Sequence, residues 1–167
     1  TLMMLCGAEL GKDLAIKKNE MTPKYRILPK SFGKYNGKII IETEKICVST
    51  SHMSFKDYLE CRNYSFILRL ISHQSFFPIY KLAKEFTIGW FDLSKKLTDL
   101  IQKDEFKGKI KDIFNEFCKE SLNELFDSES ETRAYYSNEK NYELLQKGDI
   151  GDNLLGKYTA KALLEIN

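Results

Sequence analysis

The chain has 167 residues, 43% of them apolar and 13% aromatic, which is enough to bury the core of an ordinary folded domain and excludes a disordered chain. Its 26 basic and 24 acidic residues leave a net charge of only +2, so no global field draws it to nucleic acid or to an anionic membrane. No apolar stretch approaches the roughly 20 residues that span a bilayer, and the first residues lack the pattern of a secretory signal, so the expected partners include no membrane and the expected location is cytoplasmic.

In chain order, Leu2 to Leu5 is a short apolar run ended by Gly7, the pattern of a fully buried strand. Such a strand needs neighbours on both sides, and the polar stretch that follows, with a short helix expected over Leu10–Lys18, does not supply them. The expectation is therefore that Thr1 is not a natural N-terminus. Asn36-Gly37-Lys38 is a turn signal, with Tyr25–Leu28 ahead of it as the candidate partner of one long, kinked strand or two short ones over Lys38–Ser49. Within that stretch Ile39 and Ile41 lie on one parity and Ile46 and Val48 on the other, which predicts a bulge near Glu44 and Lys45.

From Ser54, an N-cap residue, the pattern becomes helical and stays so. Phe55, Tyr58, Leu59, Phe66, Leu70 and Ile71 recur at helical spacing, and Pro78 opens a helix to about Phe86. Between Glu105 and Phe126 one apolar stripe carries Ile110, Ile113, Phe114, Phe117, Leu122, Leu125 and Phe126. Gly148 and Asp152 mark a stop and a restart before the last helix. The fold class expected is α+β and mostly helical. It divides into a short strand and helix over 1–23, a small β element over 24–53 and a helical region over 54–167.

Few residues carry chemistry by pattern. Lys24, Arg26, Lys30, Lys34 and Lys38 interleave with Tyr25, Phe32 and Tyr35, a composition suited to phosphate contact and base stacking, or to a solvated loop whose aromatics pack inward. Cys6, Cys47, Cys61 and Cys118 stand far apart, and His52 falls between two of them at spacings that fit no zinc pattern. Asp149, Asp152 and Asn153 lack the alternation of a calcium loop. Glu9, just beyond the first strand, is placed either to touch a ligand at a strand end or to favour a helix start.

Taken together, LMMLCGAELGKD, KYRILPKSFGKY, IETEKICVSTSHMSFKDYLECR and ELFDSESETRAYYSNEKNYELLQKGDIGDNLLGKY resemble, in this order, the C-terminal part of radical S-adenosylmethionine enzymes with an N-terminal cobalamin-binding domain. The likeness covers most of the chain without one short diagnostic signature. It implies that Leu2–Leu5 is a late strand of a partial α/β barrel, with Gly7, Glu9 and Leu10 in the G-x-E-L turn that follows such a strand. The CxxxCxxC cluster motif, the cobalamin domain and most of the barrel are absent from this sequence. The implied function is to close or cap the barrel and help shape the substrate site, with no catalysis and no cofactor in this segment alone.

The parent enzyme would hold a 4Fe-4S cluster, S-adenosylmethionine and, in some members, cobalamin. The implied partners are its own N-terminal barrel and cobalamin domain. Glu9, Tyr25, Arg26, His52, Tyr58 and Arg62 are the candidates for substrate or cofactor contact, and no residue is a candidate for catalysis or metal ligation. The competing expectation is a helical binding module that uses a basic aromatic loop over 24–38 to hold nucleic acid or a protein partner.

Overall fold

Asn36 and Gly37 both adopt positive φ, 49° and 78°. That is the two-residue turn whose twist matches the strands on either side. In the computed structural model, which describes residues 2–166, this turn joins strand β2 (Thr22–Tyr35) to strand β3 (Lys38–Ser49). The ladder is antiparallel, with Tyr35 opposite Lys38 at one end and Thr22 opposite Ser49 at the other.

The segment read as a basic loop is thus a strand. Alternation fails in its sequence because the ladder jumps from Ile27 opposite Thr43 to Phe32 opposite Ile41, leaving Leu28 to Ser31 facing Glu42 alone. Pro29, which has no N–H to donate, and Lys30, at φ 65°, sit in that irregularity.

The change of parity along β3 has a different cause from the one expected. No register shift occurs at Glu44 and Lys45; the one on this strand leaves Val48 unpaired between Cys47 and Ser49. Ile46, Cys47 and Val48 are consecutive and all buried, so both faces of β3 are covered there and parity carries no information.

The opening apolar run is also corrected. Strand β1 (Leu2–Met3) pairs antiparallel with β3, Leu2 opposite Cys47 and Met3 opposite Ile46, giving the sheet order β1-β3-β2. It is an exposed edge strand whose neighbour lies in the same chain; Met4, whose N–H donates to the Lys45 carbonyl at 2.8 Å, is the buried residue of the run. The helix expected over Leu10–Lys18 divides into a 3-10 turn, Glu9–Gly11, and helix α1 (Asp13–Lys18).

The remaining elements are helices: α2 (Phe55–Ile71), α3 (Phe77–Glu85), α4 (Trp90–Gln102), α5 (Lys109–Asn123), α6 (Glu129–Ser137), α7 (Glu139–Lys147) and α8 (Leu154–Ile166). The protein is therefore mostly helical with a small antiparallel sheet. Among the described residues no helix is long and apolar enough to cross a membrane. Ser54 starts α2 as expected: its Oγ accepts from the Asp57 N–H at 3.2 Å while Asp57 Oδ2 accepts from the Ser54 N–H at 2.8 Å, a reciprocal cap. These bonds from Ser54 hold the Asp57 carboxyl below its ordinary range.

The chain forms two compact units, Thr1–Tyr58 with Leu122–Asn153, and Leu59–Ser121 with Leu154–Asn167. In the first, Ile27 and Ile41 from the sheet pack on Tyr136, Tyr142 and Leu145 from α6 and α7. Gly148 ends α7 at φ 78°. Three residues on, Gly151 is fixed by packing, since a Cβ there would stand 2.6 Å from Leu145 Cδ1 and 3.0 Å from Ile27 Cγ2.

In the second unit the stripe of α5 buries Ile113, Phe114 and Phe117 as its spacing predicts. Phe117 is stacked with Phe66 at 4.7 Å between centroids and meets Tyr158 edge-on at 5.7 Å. Leu125, expected to be buried on that helix, lies beyond its end and is half-buried. Phe117→Ala should cost about 3–5 kcal/mol in denaturant unfolding. A loss under about 0.5 kcal/mol would place the core elsewhere.

Candidate functional site

Residues opposite each other in an antiparallel ladder point to the same face. The register sets Arg26 opposite Glu44, and the Arg26 Nε donates to Glu44 Oε1. A second carboxylate arrives from the chain just past α5. Tyr25 and Phe126 exchange backbone hydrogen bonds, 2.9 Å one way and 2.8 Å the other. That clip lays residues 124–126 along β2 and brings Glu124 Oε1 to 3.0 Å from Arg26 Nη1.

The resulting cluster is desolvated: Glu44 and Glu124 are 9% and 8% exposed. Burial acts first, opposing the charge of the Arg26 guanidinium, but Glu124 and then Glu44 outweigh it, so the proton is held more tightly than in water. Tyr58, also buried, bears on Arg26 in the same direction, and its hydroxyl has no hydrogen-bond partner among the described residues.

The chemistry of this cluster is anchoring: it ties β2, β3 and the 124–126 segment together.

Beside this cluster, Tyr25 lines a cleft of about 420 Å³ with Met3, Met4, Leu28, Glu44, Lys45 and Glu129. The Glu129 carboxyl is held below its ordinary range by hydrogen bonds from Arg133, the shorter 2.7 Å. It shares the lining of this cleft with Glu44 and Lys45.

The other candidates fall elsewhere. Glu9 is exposed and paired with Lys12 at 2.6 Å, the first acidic residue of a 3-10 turn. His52 sits in an exposed turn, its Nδ1 2.9 Å from Ser51 Oγ. Arg62, in the second unit, lies with its guanidinium carbon 5.7 Å from the centre of the Phe117 ring. Arg26 and Tyr58 are thus brought together and Tyr25 lines the cleft beside them, while Glu9 and His52 are surface groups.

Sequence reasoning missed Glu44 and Glu124. The first had a signal, an acidic residue on the apolar parity of Ile46 and Val48. The second had none, because only the Tyr25–Phe126 pairing places it.

The basic segment loses much of its field. Lys24 pairs with Asp127 at 2.5 Å and Arg26 is engaged by two carboxylates. Phe32 packs edge-on against Tyr142 in the core, which leaves Tyr35 as its exposed ring, beside Lys34 and Lys38.

All four cysteines are free, and among the described residues no group of three His, Cys, Asp or Glu could hold a metal ion. The Cys47 thiol donates to the Ser49 carbonyl at 3.1 Å and burial raises its pKa; Cys118 donates to Asn63 Oδ1 at 3.3 Å and burial pushes it up to about 11. Thiols so held do not suit a cluster. Comparison of the chain with protein-family models, curated proteins and solved structures returned no match.

Arg26→Ala should destabilise the protein by about 3–5 kcal/mol near neutrality, because it strands the buried Glu44 carboxylate. Stranded carboxylates have pKa values above those of the unfolded chain, so stability is regained on acidification and lost as pH rises. The deficit should shrink between about pH 7 and about pH 5 in urea titrations. A deficit that stays constant over that range would mean that the carboxylate reaches water.

Proposed function

We propose that the chain is the C-terminal part of a radical S-adenosylmethionine enzyme, in which it closes or caps the barrel and helps to shape the substrate site without being catalytic alone. The observation that supports this reading is the apolar surface around β1. Leu2, Met3, Leu5, Leu10 and Leu14 are all exposed, Leu14 by 82%. β1 is an edge strand, and an edge with unpaired N–H and C=O groups beside exposed leucines suits further strands and helices laid against it.

In this reading the turn through Gly7, Glu9 and Leu10 joins the β1 edge to α1 at the margin of the barrel. The cleft lined by Tyr25 and Glu129 lies beside that edge, with Met3, Met4 and Leu5 as its apolar wall. Glu129 and Lys45 give it charges of both signs, which would suit a polar substrate group that both donates and accepts hydrogen bonds. The Arg26 cluster would serve as a positioning element that holds β2 and β3 in register beside the cleft.

The iron-sulfur cluster, S-adenosylmethionine and, in cobalamin-using members, the corrin belong in this proposal to the barrel and the cobalamin domain. When bound there they would supply a carbon-centred radical or a methyl group. The residues of this chain do not fit the cluster, since its thiols are scattered and two of them, the buried Cys47 and the half-buried Cys118, are bonded to oxygen acceptors.

Reading the gene upstream of the codon for Thr1 tests the proposal. The same reading frame should encode barrel strands and a CxxxCxxC segment. A start codon with its ribosome-binding site directly ahead of Thr1, and no such segment, would overturn it.

A further inference from the structure

The single tryptophan of the chain, Trp90, stands in the wall of a cavity of about 320 Å³ that lies wholly within the second unit. The cavity is at the small end of the range for small-molecule sites, about 300–1,000 Å³. Its apolar walls are three rings. Phe77 and Tyr80 lie nearly parallel, 17° apart with centroids at 6.2 Å, and Tyr80 meets Trp90 edge-on at 5.3 Å and 81°. Rings of this size are seldom left open to water in such a group, yet Phe77 and Tyr80 are 54% and 43% exposed.

The polar groups lie along one short stretch, Ser72, His73 and Gln74, between α2 and α3. The Trp90 indole N–H donates to Ser72 Oγ at 3.2 Å, which fixes the indole plane and leaves the Ser72 hydroxyl proton for another acceptor. His73 caps the 3-10 turn Gln74–Phe76, its Nδ1 accepting from the Ser75 N–H at 3.3 Å. The neutral imidazole therefore carries its proton on Nε2, a donor. The Gln74 side-chain amide makes no hydrogen bond among the described residues, so its donor and its acceptor are both free.

We propose that this cavity binds a purine base. A purine can lay a π face on Tyr80 and turn an edge towards Trp90, whose ring stands at 81° to that of Tyr80, and it has ring nitrogens that accept from Ser72 and His73. Its adjacent donor and acceptor on one edge match the pair that a glutamine amide offers, as in amide recognition of adenine. Other ligand classes use less of the site. An aliphatic group would leave the donors unmet, and an aromatic acid would leave the Gln74 carbonyl unmatched. An organic cation finds no carboxylate in the lining, and Lys81 already lies 4.9 Å from the centre of the Phe77 ring.

The inference is independent of the proposed parent enzyme, since every residue it uses is in the second unit. Trp90 makes it directly readable, because no other tryptophan contributes to the emission. Adenosine titrated into the whole chain under tryptophan-selective excitation should quench the emission saturably. Indole, a ring of similar size without the acceptor edge, followed by equilibrium dialysis because it emits where tryptophan does, should bind at least about tenfold more weakly.

Tyr80→Ala should weaken adenosine by about tenfold, the scale of one base–aromatic stack. Gln74→Ala, on an exposed turn and safe for folding, should weaken adenosine and leave indole unchanged. Linear, non-saturating quenching by adenosine overturns the proposal. So does equal affinity for indole, or an adenosine affinity that Gln74→Ala does not change.

Discussion

The pairing of Arg26 with Glu44 and Glu124 is the constraint around which the sheet of this protein is arranged. β3 is the middle strand and is covered on both faces from Ile46 to Val48, and the carboxylate two residues before Ile46 on the same face is largely withdrawn from water. An ionised group in that position needs a partner of opposite charge with hydrogen bonds to give. The register of the hairpin supplies it by placing Arg26 directly across the ladder. A one-residue slip would turn Arg26 to the other face and leave Glu44 alone. The Asn36-Gly37 turn and the ion cluster therefore specify the same register from opposite ends.

The same cluster explains why residues far apart in sequence share a unit. The Tyr25–Phe126 clip and the Arg26–Glu124 bond fasten the chain after α5 to β2, and α6 and α7 then cover the Ile27 and Ile41 face. The interruption at Leu28–Ser31 is the matching concession: it lets Ile27 and Phe32 both reach that core although five residues separate them on β2 and two separate their partners on β3. The candidate contact surface is what this scaffold leaves open, the cleft between β1 and Tyr25. Within the second unit the open surface is the aromatic cavity at Trp90. One site carries charged groups in its lining and the other lacks any acidic group there, so the two units offer ligands quite different chemistry.

Much of the local structure was legible in the sequence because its causes are local. The bounds of β3, the Asn-Gly turn, the Ser54 cap, Pro78 at the start of α3, the buried face of α5 and the Gly148 stop each follow from a few neighbouring residues. β2 was not, since Pro29 and Gly33 break its alternation and only the partner strand shows that pairing resumes at Phe32. The orientation of β1 was not either: an apolar run reads as buried, whereas Leu2 and Met3 are exposed and Met4 alone carries the burial. Arg26 and Tyr58 were singled out without the reason that unites them. That reason resides in Glu44 and Glu124, one of which is placed by strand register and the other by a bridge spanning a hundred residues.

The central claim is that Arg26 and Glu44 act as one unit instead of two independently tolerated charges. A double-mutant cycle measures this directly, comparing Arg26→Met, Glu44→Gln and the double variant by urea unfolding near neutrality. A coupling energy of about 2 kcal/mol or more is predicted, with the double variant less damaged than the sum of the singles. Additive losses, with coupling below about 0.5 kcal/mol, would contradict the account, because the two charges would then be solvated separately and the sheet would owe its register to the turn alone.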